Sequence, residues 1–222
     1  RSESGAALWL QVNRQGELDG AHPHFHGESK VAIRAMSRVH SDSDTELDGS
    51  FHAWANPEPN LEGDYPFVFD SPNFYQLADV ALPAEGIAQI AAFAEEVTLY
   101  GSEEEYSAAQ DGDEVKFASQ SFIPAGLFGN KGDSPAAHAI FTGHVVRAER
   151  KVNELGGGEF IWAMVETLGG TYDVVFDPEI CSTVPQPGNV LSGAFWLSGL
   201  CESLDSKAGF GRKVLHRLRG GR

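Results

Sequence analysis

Apolar and polar residues alternate through much of the first sixty positions. Leu8, Leu10 and Val12 fall on one side of a short strand. Val31, Ile33, Ala35 and Val39 fall on one side of a second, whose opposite face carries Arg34 and Arg38. A third strand is predicted over 47–55, with Leu47, Phe51, Ala53 and Ala55 facing one way. The turn-rich stretch NPEPNLEGDYP (56–66) closes this group, and 67–69 adds a short strand. From Pro83 the period changes: Ile87, Ile90, Ala91, Ala94 and Val97 are spaced as one face of a helix over about 87–97. Ser102 followed by Glu103, Glu104 and Glu105 has the form of a capping box and predicts a second helix over 103–110. Together these predict a helical hairpin packed on an antiparallel sheet.

The segment 137–201 places glycines and apolar alternation where a small closed barrel needs them. Strands are predicted over 139–149, 160–167, 171–176, 190–194 and 195–201, with turns at Asn153 and Gly156 to Gly158 and at Gly169 and Gly170. Gly143 sits in the middle of the first strand, and Pro187 and Gly188 lead into a last strand pair carrying Gly193 and Gly199. This pattern resembles the oligonucleotide/oligosaccharide-binding fold, the OB-fold. The expected fold class is therefore α+β, mostly β: an N-terminal antiparallel sheet with a helical hairpin, then an OB-like five-stranded barrel. The expected organisation is an α+β domain at 1–116, an ordered connector at 117–136, the barrel at 137–204 and a basic tail at 205–222.

Charge narrows the partners. The chain carries 16 basic and 32 acidic side chains, a net charge of −16. Six of the basic residues lie after position 206, so residues 1–206 set ten cations against all 32 acids and carry −22. Such a body repels phosphate backbones, and nucleic acid is not expected as a partner. No apolar run approaches the roughly 20 residues of a membrane span. RSESGAALWLQ at the start lacks a signal-peptide core, and a cytoplasmic protein follows as the expectation. Cys181 and Cys201 fit no zinc spacing and are expected as free thiols.

Few residues point to chemistry. An OB-like barrel implies a ligand face, for which the candidates are Phe160, Trp162, Tyr172 and Trp196 with the basic residues Arg147, Arg150 and Lys151. The alternation of Phe160, Trp162 and Met164 against Ile161, Ala163 and Val165 lets either face be core. In HPHFH, His22, His24 and His26 share one face of an extended strand, and with Asp42 they form a candidate site for a divalent metal. No other cofactor is expected. Neither a nucleophile elbow nor an activated cysteine is recognisable. Leu218 to Gly221 resemble the end of ubiquitin's tail, although nothing upstream reads as the ubiquitin fold. The leading expectation is a non-enzymatic binding or accessory protein whose OB-like barrel contacts protein or a small ligand. The alternatives are a metal-dependent hydrolase built on the histidines and a single-strand nucleic-acid binder.

Overall fold

A computed structural model describes residues 2–41, 45, 47–59, 62–112, 114–128, 134–154 and 156–206. Asp42 and the basic residues from Lys207 onward, including the ubiquitin-like ending, lie outside the described residues.

The described residues are mostly β, with 54% strand and 7% helix, rather than α+β. Its strands are β1 (Ala6–Val12), β2 (Leu18–Phe25), β3 (Val31–Val39), β4 (Ser50–Ala55), β5 (Tyr65–Asp70), β6 (Ala84–Tyr100), β7 (Ser121–Ile123), β8 (His138–Val152), β9 (Glu159–Thr167), β10 (Gly170–Phe176) and β11 (Val190–Ser206). β1 and β2 form a separate two-stranded sheet. The other nine strands make one sheet in the order β11-β5-β4-β3-β6-β10-β9-β8-β7, which also closes on itself through β11–β6 and β11–β8. The pairings trace two closed rings, β6-β10-β9-β8-β11 and β6-β3-β4-β5-β11, that share the long antiparallel pair β6–β11.

The helical hairpin is overturned. The stretch expected as its first helix is β6, paired with β3, β10 and β11. Ala88, Ile90 and Ala92 of β6 enter the main core, while Ala91, on the other face, is buried against Phe25 and Trp162. A strand buried on both faces reads as a continuous apolar run, which here overlaps the spacing of a helix. Ile87, assigned to the apolar face of that helix, is half exposed. The only α-helix among the described residues is α1 (Glu103–Ala109), and its capping differs slightly from expectation. The Ser102 hydroxyl accepts from the Glu105 amide, but the Glu105 carboxylate accepts from the amide of Gly101 rather than that of Ser102.

The predicted last strand pair is the single strand β11, bent by irregularities at Ala194/Phe195 and between Cys201 and Leu204. Within the connector, β7 pairs with β8 and delivers Phe122, which stacks on Tyr65 at 4.0 Å. One hydrophobic cluster runs through both rings, from Val31, Phe51 and Phe69 to Phe141, Ile161 and Leu197. Ile161, Ala163 and Val165 of β9 face this core. Trp162 faces out, into a second cluster completed by Phe25 of β2. The β1–β2 hairpin is thus mounted on the outside of the ring, over β6, β9, β10 and β11.

Candidate functional site

An exposed antiparallel hairpin normally buries its apolar face and turns its polar face to water. This one is inverted. Trp9, Gln11, His22 and His24 form the face turned toward the body, with Gln11 and His24 buried. On the other face, beyond the buried Phe25 at its base, Leu8, Leu10, Val12, Leu18, Ala21 and Pro23 are all exposed; Leu10 and Leu18 keep 61% and 66% of their surface. The strand pairing explains the arrangement. Leu8 sits opposite Pro23, Leu10 opposite Ala21 and Val12 opposite Leu18, so the apolar residues of both strands coincide on one side.

Beneath the hairpin runs a chain of hydrogen bonds from the surface to a buried acid. Asp173 of β10 is fully buried. It accepts from the amides of Glu28 (3.1 Å) and Ser29 (2.9 Å), from Gln89 Nε2 (2.7 Å) and from Trp162 Nε1 (2.8 Å). Because the Gln89 amide nitrogen is committed to Asp173, Gln89 Oε1 is the acceptor that meets His24 Nε2 at 2.8 Å, which assigns the proton of neutral His24 to Nε2. His24 Nδ1 is then free to accept from the Ser198 hydroxyl, also at 2.8 Å. His22 Nε2 reaches the same hydroxyl at 3.3 Å, and the His22 ring lies 5.4 Å from Trp196. Burial holds His24 strongly to its neutral form, with its pKa pushed down to about 3, and lowers His22 as well despite the opposing pull of Asp70 and Asp48.

The Ser198–His24 contact has the elements of a nucleophile and base. The hydroxyl, however, is fully buried under the hairpin, and an amide rather than a carboxylate orients the imidazole. In this arrangement the pair fastens the hairpin to the ring. Among the described residues no three His, Cys, Asp or Glu side chains converge as a metal site. His22 and His24 lie on one face of β2, His26 follows the end of that strand, and both nitrogens of His24 are already engaged.

The candidate ligand residues are dispersed. Tyr172 is fully buried and hydrogen-bonds Tyr65 at 2.7 Å. Trp162 is buried, with Arg147 and Lys151 over its ring at 4.7 and 5.1 Å, and Phe160 packs on Phe25. Trp196 lies elsewhere, against Phe93, with its indole nitrogen donating to Asp70. The basic cluster is neutralised locally: Arg147 pairs with Glu28, Arg150 with Glu159 and Lys151 with Glu149. The cysteines are free, and burial pushes the Cys201 thiol up to about 12.

Gln89, Asp173 and Ser198 were not singled out as site residues from the sequence. Their signal was there: Asp173 interrupts the apolar strand YDVVF, and Gln89 interrupts IAQIAA. A polar residue inside a fully buried strand needs hydrogen-bond partners from other elements.

Comparison with protein-family models, with curated proteins and with solved structures finds no match. No helix among the described residues is long and apolar enough to cross a membrane.

Proposed function

We propose that this chain is a non-enzymatic binding protein whose docking element is the β1–β2 hairpin, with the OB-like ring serving as its scaffold. The observation that carries the reading is the inverted hairpin. Burying imidazoles and an amide while exposing three leucines costs solvation free energy on both faces, and an apolar partner removes the second cost. Among the described residues neither strand of this two-stranded sheet has a second hydrogen-bonded strand neighbour, so the hairpin also offers backbone edges for strand addition. At its tip, exposed Glu17 and Asp19 outnumber Arg14. The partner chemistry that fits is a protein surface with an apolar centre and a basic rim.

The Leu8→Lys/Leu10→Lys variant tests this reading. Both positions point to water, so the melting temperature should stay close to that of the parent, a change within about 0.5 kcal/mol. A partner cross-linked to residues 6–23 of the parent chain in cell extract should bind the variant at least about thirtyfold more weakly, the loss of one interface hot spot. Undiminished binding, or cross-links that map away from the hairpin, would remove this assignment.

A further inference from the structure

The side chains through which the hairpin meets the ring are weighted toward groups that change charge. His22 and His24 both reach Ser198, and His24 also meets Gln89. The His26 ring stands edge-on to His24 at 5.2 Å. Gln11 donates to Asp48 at the far end, and Phe25 packs against Phe160 and Trp162 at the base. Trp9 and His26 also line an open groove of about 910 Å³, which gives water access to the edge of this contact.

Building on the assignment of the hairpin as docking element, we propose that its histidine face is an acid-sensitive latch: protonation of His24 and His22 releases the hairpin from the ring and dismantles the docking platform while both rings stay folded. A proton on His24 Nδ1 removes the acceptor of the Ser198 hydroxyl hydrogen. A proton on His22 removes the ring nitrogen 3.3 Å from the same hydroxyl as well, which leaves it the Pro23 carbonyl at 3.4 Å. The new charge would face His22 on β2, His26 just after it, Ser198 on β11 and Gln89 on β6. The acids nearby are Asp173 on β10, Asp70 on β5 and Asp48 before β4. Asp173 is separated from the imidazole by the Gln89 amide and is already met by four donors, so it compensates weakly. Asp70 and Asp48 favour the proton on His22 but do not overcome its burial.

The sign follows from where each state binds protons. The closed hairpin holds His24 neutral down to about pH 3, whereas a released His24 titrates near 6.5. Closure is therefore fully favoured above about pH 6.5 and weakens as pH falls toward 3, by about tenfold per pH unit for one imidazole.

Hydrogen exchange on the free chain, corrected for intrinsic rates, tests the latch without any partner. Between pH 7 and 5 the opening of residues 6–25 should rise by about tenfold or more while the β6–β11 amides keep their protection. His24→Gln should flatten this dependence, and His22→Gln, at a partly exposed site, should flatten it in part. The proposal is overturned if the hairpin and rings open together, if the hairpin's protection is independent of pH, or if neither variant alters its pH dependence. Failure here leaves the docking assignment standing, since Leu8→Lys/Leu10→Lys tests that face at a single pH.

Discussion

Asp173→Ala should destabilise the protein by about 4 kcal/mol or more, a large part of the 5–15 kcal/mol that holds a typical domain folded. The carboxylate lies inside the protein and is the common acceptor for four donors drawn from β6, β9 and the turn before β3. Alanine leaves the Glu28 and Ser29 amides, the Gln89 amide and the Trp162 indole without an acceptor, and each buried orphan costs about 1–3 kcal/mol. Gln89 then loses the contact that fixes its orientation, and with it the acceptor for His24. Asp173→Asn keeps the shape and one acceptor oxygen, so it should fall between the parent and alanine. Urea denaturation followed by tryptophan fluorescence measures both. A loss below about 1 kcal/mol for the alanine variant would mean that water replaces the carboxylate at little cost and that the network is dispensable.

Gly143→Val should cost more than about 2 kcal/mol, because overpacking against backbone cannot be relieved by a rotamer change. A Cβ at position 143 of β8 would stand 2.5 Å from the Glu166 carbonyl oxygen and 2.6 Å from Val165 Cγ1 on the paired strand β9. Gly193→Ala should behave similarly, since its Cβ would meet the Glu96 carbonyl across β11–β6. Gly158→Ala is the control: nothing lies within 4 Å of its Cβ position, and the change should be within about 0.5 kcal/mol. Differential scanning calorimetry compares the three. Equal midpoints for Gly143→Val and Gly158→Ala would show that the strands part easily at this position and that close approach there does not maintain the ring.

Strands were legible in the sequence where alternation or flanking turns mark them. β4 alternates cleanly, and β8, β9 and β10, bounded by glycine-containing turns, begin and end within three residues of their predicted limits, although β9 and β10 are buried on both faces. The Ser102 cap was equally readable, because a capping box is a local pattern. β6 was misread for a tertiary reason: Phe25 and Trp162 cover the face of Ala91 that an exposed strand would show to water. The inversion of the β1–β2 hairpin was illegible for a related reason. Leu8, Leu10 and Val12 mark a strand correctly, but alternation alone does not say which face meets water. That outcome is decided by Ser198, Gln89 and Asp173, which come from strands 60 to 180 positions downstream. Of the histidine triplet, which drew notice as a metal candidate, His22 and His24 meet the Ser198 hydroxyl, and His24 also meets the Gln89 amide.

The sharing of β6 and β11 by both rings bears on how the chain acquires its shape during synthesis. Each ring closes through residues 190–206, so on the ribosome neither can complete its circuit until that stretch has emerged. Until then β6 lacks its longest partner, and its alanine-rich sequence is free to follow the helical preference that its spacing suggests. A nascent chain stalled before position 190 should therefore be open along the inner edge of β6 and exposed to chaperones, with the first half gaining its fold only as the last strand is inserted.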